Sequence, residues 1–276
     1  MEQDSQFRFI KSVHLPEVTA LEAAMDTFTY DKHAHEEYAF GVTLSGRQDF
    51  FSNGVYHRSP PGNIIQLNPD AVHDGNSGGD EPLNYVMLYV HPRQIEPLFA
   101  NAAGAEEASD IRMSETLTHD PVLRGHLMEL VRLIANNVGS RIDQEHALYQ
   151  IASRVVQRVG RFEPDEVARR ADVLLRRAKD FIHNHVDADL SLEEISDAAN
   201  LSKYHFLRLF RRQYGITPHQ YVINCRINAA RTALEAGEPV NDVVYRYGFS
   251  DLSHFNRRFK RIYGMTPRQY QQSVTA

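Results

Sequence analysis

One twelve-residue segment occurs twice in this 276-residue chain, and that repeat limits the possible folds more than any other feature. Phe210 to Tyr221 reads FRRQYGITPHQY. Phe259 to Tyr270, 49 residues on, reads FKRIYGMTPRQY, with eight of twelve positions identical. Just upstream, His205-Phe206 and Arg208 match His254-Phe255 and Arg257 at the same offset. A match of that length and spacing marks one supersecondary unit used twice.

Each unit reads as helix, turn, helix. In the first, Ser191 is placed to cap a helix, and Glu194 completes a capping box before Ile195, Ala198 and Ala199. Asn200 can take the left-handed conformation of a tight turn, Leu201 plugs that turn, and Ser202 caps the next helix. In the second, Gly248 takes the turn, Phe249 plugs it and Asp251 caps. The inner faces carry Phe206, Leu209 and Phe210 in one unit and Phe255 and Phe259 in the other. This is helix-turn-helix patterning.

The second helix of each unit has an apolar back and a largely polar front. The fronts are Lys203, Tyr204, Leu207, Arg208 and Arg211, then Leu252, Ser253, His254, Asn256, Arg257 and Lys260. Arg, Asn and Ser can read base edges in a major groove, while Lys and further Arg suit phosphates. Thr217-Pro218 opens a helix that Gly237 stops. Such a helix, about 19 residues at 1.5 Å each, is a strut of roughly 28 Å. One DNA turn is about 34 Å, so the strut can set the two reading helices into successive major grooves.

Charge divides the chain the same way. Residues 169–276 carry net +6 and residues 1–168 net −12, against −6 overall. A basic part facing a polyanion and an acidic part with another task follow from that reversal. The single cysteine excludes an internal disulfide framework, and Cys225 falls in the apolar strut helix as a buried thiol. The first residues have no apolar core of a secretory leader, and no apolar run reaches the length of a membrane span, so a cytoplasmic location is expected.

The first half is different in texture. Residues 1–20 read as a weakly patterned arm. From Phe28 to Val90, short β-rich runs at 39–44, 49–51, 55–57, 64–67 and 85–90 alternate with turn signals, as in a sandwich or barrel; the Gly-rich stretch 75–79 reads as a loop. From about Ile95 the pattern turns helical. Segments 121–139 and 141–159 form a helical hairpin that covers the β unit and can also present a face to a second subunit. The expected division is a barrel with hairpin over 1–160, a linker over 161–168 and an all-α domain with two helix-turn-helix motifs over 169–276, an α+β protein as a whole.

On these residues the chain resembles the AraC/XylS family of bacterial transcription regulators. The second unit carries the resemblance most strongly, from Val240 through Gly248-Phe249-Ser-Asp-Leu-Ser-His-Phe-Asn-Arg-Arg-Phe-Lys to Tyr270, and Leu192 to Tyr221 also fits. The resemblance implies base contacts from Tyr204, Leu207 and Arg208, and from Ser253, His254, Asn256 and Arg257. Leu207 departs from the pattern, where a polar residue is common. The stretch His33-Ala-His35-Glu-Glu-Tyr38, then Gly46, Pro61 to Ile65 and Asn68 to His73, resembles the family's cupin-like effector domain. It implies a small-molecule effector in the barrel, double-stranded promoter DNA as partner, a homodimer, contact with RNA polymerase, and activation of transcription.

His33, His35 and His73 leave three readings open: polar groups of an effector pocket, structural histidines at the barrel rim, or a three-histidine metal site. The third would make the chain a cupin metalloenzyme with an appended DNA-binding module. It lacks parts that cupin enzymes use, because Ala39 stands where a carboxylate ligand is expected, Ile65 stands where a later histidine is expected, and Glu36 and Glu37 are poorly placed. No metal, cofactor or catalytic set is therefore expected. The effector-binding set is taken as His33, His35, Tyr38, Phe50 and His73. Phe40 and Tyr56 are further candidate walls, with core packing the alternative for all the aromatics.

Overall fold

The computed structural model describes residues 5–79, 81–103, 112–159 and 166–275. By contacts the chain divides into two compact units, residues 1–29, 36–70 and 74–162 in one, and 30–35, 71–73 and 163–276 in the other.

Ten strands come first: β1 Gln6–Lys11, β2 Val18–Met25, β3 Thr29–His33, β4 Tyr38–Ser45, β5 Gln48–Ser52, β6 Val55–Ser59, β7 Ile64–Leu67, β8 His73–Ser77, β9 Leu83–Val90 and the short β10 Leu117–Thr118. They form a six-stranded sheet in the order β1-β2-β9-β4-β7-β10 and a four-stranded sheet in the order β3-β8-β5-β6. Residues 5–20 are not an arm. β1 pairs antiparallel with β2, Phe9 opposite Leu21, and β2 pairs with β9 in turn. The pattern of β2 is faint because Ala20, Ala23 and Ala24 give it little hydrophobic contrast, although Ala20, Leu21, Ala23 and Met25 are buried. The Gly-rich stretch expected as a loop contributes β8, whose His73 and Gly75 are buried.

β4 shows why strand runs here are continuously apolar. Tyr38, Phe40 and Val42 join a core with Val86, Leu88, Val90 and the helices that follow. Ala39, Gly41 and Thr43 alternate to the other face. Gly41 has no room for a side chain, since a Cβ would lie 2.6 Å from Met87 Sδ. Three helices pack on the outer face: α1 Pro92–Ala103, α2 Pro121–Ala135 and α3 Arg141–Val159. Ile95 and Phe99 of α1, Leu123, Leu127 and Leu130 of α2, and Leu148, Ile151 and Val155 of α3 are its buried stripe. Each such side chain contributes about 1.5–3 kcal/mol.

The hairpin is pinned by Asp120, the N-cap of α2. Its carboxylate accepts from the amides of Val122 and Leu123 at 3.0 Å and from Arg154 Nε at 2.9 Å and Arg158 Nη1 at 3.1 Å. Burial alone would raise its pKa; the Leu123 amide and the two guanidiniums bring it down to about 2.

The second half is helical: α4 Glu166–Asn184, α5 Leu192–Ala198, α6 Lys203–Tyr214, α7 Pro218–Glu235, α8 Val240–Arg246, α9 Leu252–Tyr263 and α10 Pro267–Thr275. The start of α4 lies inside the stretch expected as linker, and residues 160–165 of that stretch are outside the described residues. α7 is the expected strut, opened by a Thr217–Gln220 capping box with Pro218 in its first turn. Its 18 residues give about 27 Å. Leu175, Ala178, Ile182, Ile195, Phe206, Phe210, Tyr221 and Cys225 form one core around the first motif.

Candidate functional site: two reading helices and three barrel histidines

The two helix-turn-helix motifs are α5-α6 and α8-α9. The turn of the first runs through Asn200 at φ 53°, that of the second through Gly248 at φ 72°. Ser191 and Glu194 form the reciprocal capping box expected for α5. Asp251 accepts from the amide of His254 at 2.7 Å and caps α9. Ser202 occupies the N-cap position of α6 but makes no side-chain hydrogen bond there, which corrects the expectation that it caps. Its hydroxyl is left to the solvent on an exposed residue.

The buried backs are as expected. Phe206, Leu209 and Phe210 are buried on α6, and Phe255, Phe259, Ile262 and Tyr263 on α9. On the front of α6, Lys203, Tyr204, Arg208 and Arg211 are exposed and Leu207 is half-buried. Tyr204 is 82% exposed, far more than a packing tyrosine would be. On α9, Ser253, Arg257 and Lys260 are exposed, and His254 and Asn256 are half-buried. Lys203 Nζ lies 2.9 Å from Glu193 on α5, an exposed pair that salt screens and that costs little to part.

Reading the fronts from the sequence alone missed three exposed arginines beside them: Arg212, Arg258 and Arg261. The signal was present in the sequence, since each lies beside a named cation in a run of bases. The helix faces are settled only once the buried stripe is known.

The barrel set is split by the structure. His33, His35 and His73 come together, with ring centroids 4.3 Å apart for His33–His73, 5.0 Å for His35–His73 and 6.2 Å for His33–His35. All three are buried. His33 Nδ1 donates to the carbonyl of Asp31 at 2.7 Å, and His73 Nδ1 to that of Ala71 at 2.8 Å, the same two-residue reach in both strands. Burial, then the charge of His35, brings the His33 pKa down to about 4, against the Asp31 carbonyl, which raises it. Burial and the other two rings hold His73 well below the usual histidine range. His33 and His73 are therefore neutral at pH 7.

Tyr38 is elsewhere. Its ring packs edge-on against Phe99 of α1 at 5.5 Å, and Tyr38 and Phe40 belong to the core between sheet and helices. Phe50 is buried and stacks on His57 at 4.9 Å. Tyr56 is exposed, with its hydroxyl donating to Asp49 Oδ2 at 2.8 Å. Among the described residues, no three His, Cys, Asp or Glu side chains are placed to hold a metal ion, and no helix is long and apolar enough to cross a membrane.

A two-sheet domain with helical cover, followed in the chain by paired helix-turn-helix motifs with basic fronts, defines a DNA-binding regulator with a ligand-binding domain. The family description "AraC-like ligand binding domain" matches residues 15–152, and "Helix-turn-helix domain" matches residues 195–273. The chain belongs to the AraC family of transcriptional regulators. It is 32% identical over 231 residues to the probable transcriptional regulator LumQ of Photobacterium leiognathi, covering 82% of this chain and 84% of that one. It is 24% identical over 236 residues to the XylDLEGF operon transcriptional activator 1 of Pseudomonas putida, covering 78% and 68%. The fold matches the crystal structure of ToxT from Vibrio cholerae O395 with a TM-score of 0.60 over 99% of both chains, at 14% identity.

Proposed function

We propose that the protein acts in the cytoplasm as a homodimer that activates transcription in response to a small molecule held in the barrel. It reads double-stranded promoter DNA with the fronts of α6 and α9 and then engages RNA polymerase. The observation that carries this reading is the duplicated motif with both fronts exposed, joined to a ligand-binding domain of the same family. Arg208 and Arg257 hold the same place in each reading helix, six residues past the cap, and each forks onto a guanine. Tyr204, Ser253, His254 and Asn256 flank them at the bases. Lys203, Arg211 and Lys260 take phosphates, and Leu207 lies against a thymine methyl.

The dimer uses the outer side of the hairpin. Ile142 is 71% exposed, and Val138 is exposed with it in the groove between α2 and α3. A lone exposed apolar residue is ordinary, but two lining one groove with Leu133 and Ala147 suit a second copy of the same surface.

A titration of the full chain against promoter fragments tests the proposal. Affinity should fall steeply with salt, as expected where six or more phosphates are neutralised. Light scattering should give a mass of two chains, and Ile142→Glu should return it to one. Salt-independent binding, or a single-chain mass with and without DNA, would overturn the corresponding part.

A further inference from the structure

Seven of the eight residues that the two repeated segments share act within the protein, as aromatic core, capping pair, first-turn proline or helix stop. The eighth does none of these. Arg212 lies in the last turn of α6 and Arg261 in the last turn of α9, and both are exposed. Arg212 has no side-chain partner among the described residues. Arg261 lies 3.6 Å from Asp31, which by contacts belongs to the same unit, an exposed pair that parts at little cost.

A cation in the last turn favours the helix dipole, and for that purpose lysine serves as well as arginine. The neighbouring position shows such tolerance, with Arg211 in one unit and Lys260 in the other. At 212 and 261 arginine stands in both copies. What arginine alone offers is a planar fork of donors that meets two oxygens of one anion at once.

The place on the helix identifies the anion. Arg212 is four residues past Arg208, and Arg261 four past Arg257. Each is therefore about 6 Å further along the axis and about 40° round it, turned from the centre of the front toward the buried stripe. That is the rim of the reading face. A side chain at the rim of a helix seated in a major groove faces the groove wall, which is a line of phosphates, and not the base edges at its floor.

We propose that Arg212 and Arg261 are a matched pair of phosphate clamps, each forking its guanidinium onto one backbone phosphodiester at the wall of the groove its helix reads. The proposal rests on the reading of α6 and α9 as recognition helices. It adds register to that reading. Two fixed forks about one helical turn apart set the helices so that Arg208 and Arg257 meet the bases.

Binding of the full chain is titrated on a random-sequence duplex pool and on the duplex that selection from that pool enriches. Arg212→Gln and Arg261→Gln should each weaken both roughly tenfold or more, with the salt slope shallower by about one unit. Arg212→Lys and Arg261→Lys should restore the slope but leave a deficit of roughly three- to tenfold, because the charge returns without the fork. Ethylation of single phosphates on the selected duplex should weaken the wild type at two positions about one turn apart, and each Gln variant should be indifferent to one of them. Melting temperatures should stay at the wild-type value, as for an exposed substitution. Lysine variants that bind as the wild type does would reduce the pair to point charges and overturn the fork. A loss confined to one base pair would make the arginine a base reader instead, and a loss matched by a fall in melting temperature would make it a structural residue. Wild-type protein that binds no duplex overturns the recognition helices together with the clamps, whereas Gln variants that match a binding wild type overturn the clamps alone.

Discussion

The two helix-turn-helix units are the same machine built twice, and they differ only where each meets its surroundings. In the first, the Phe210 ring lies 4.7 Å from Tyr214 and 5.4 Å from Tyr221; in the second, Phe259 lies 4.7 Å from Tyr263 and 5.6 Å from Tyr270. Thr217 and Gln220 bond each other at 2.9 and 3.2 Å, and Thr266 and Gln269 repeat this at 2.9 and 3.3 Å. Gly215 and Gly264 end α6 and α9 in the same left-handed conformation. Seven of the eight identities of the repeat are thus the aromatic core, the caps and the helix stop, and the eighth is the exposed pair Arg212 and Arg261. The differences fall on the turn, the N-cap and the reading front. Packing is retained in the repeat, and recognition is where it diverges.

The largest effects should break both units alike. Phe210→Ala and Phe259→Ala each remove a fully buried ring from equivalent aromatic clusters, and each should cost about 3–5 kcal/mol. Denaturant unfolding of the full chain, followed at the helical transition, measures both. Equal costs within about 1 kcal/mol support equivalence; one silent substitution would end it.

On the DNA the units should part company. Arg208→Ala and Arg257→Ala should each lose about 1–3 kcal/mol of binding and relax the preference at one base pair, with the two affected pairs about one helical turn apart. Arg211→Ala and Lys260→Ala should weaken all sequences alike and shallow the salt slope by about one unit each. The front position that differs most is Leu207 against Asn256. Asn256→Ala should lose about 1–3 kcal/mol at one adenine, while Leu207→Ala should lose under about 1, the worth of a methyl contact. Titrations on base-substituted operators decide this, and a uniform loss from Arg257→Ala would make it a phosphate clamp.

The turns give a smaller difference. A Cβ on Gly248 would lie 2.9 Å from Arg226 Nη1, and that guanidinium is held by the carbonyls of Val186 and Ala188 at 3.2 and 2.7 Å. Gly248→Ala should therefore destabilise by about 1–3 kcal/mol, from positive φ and crowding together. Asn200→Ala should cost less, because Asn200 already carries a Cβ at φ 53°. Thermal melts of the two variants rank them.

How much of this was legible in the sequence follows from what each part buries. The helical half was readable because Ser191, Glu194, Thr217, Gly248 and Asp251 are local signals that act within three or four residues. The hairpin was readable from apolar spacing that matches the buried stripes of α2 and α3. β1, β2 and β8 were not, because a strand takes its partners from distant sequence. Ala20, Ala23 and Gly75 are buried by what lies across from them, not by their own hydrophobicity. The split of the barrel set has the same cause. Tyr38 opens β4 and packs toward the helices, while His35, three residues earlier in the connection after β3, meets His33 and His73. Parity along β4 was available in the sequence; which face was inside was not.

The smallest expected difference is the sharpest test of the comparison, because it sits at homologous atoms. Asp251 accepts the His254 amide at 2.7 Å, whereas Ser202 gives α6 no side-chain cap. Asp251→Ala should destabilise by about 1 kcal/mol, and Ser202→Ala by less than about 0.5. The amide of His254, then the Ser250 hydroxyl, holds the Asp251 pKa below the usual carboxylate range. A carboxylate with its folded pKa depressed stabilises above its unfolded pKa, about 3.9, and that advantage fades as pH falls through the folded value. The gap between the two alanine variants should therefore be present at pH 7 and narrow as pH falls below the unfolded value and through the folded one. Denaturation midpoints of the wild type and the two variants across this pH range measure it. A cost from Ser202→Ala equal to that of Asp251→Ala would show that α6 is capped in solution after all, and that the two units are alike even at this atom.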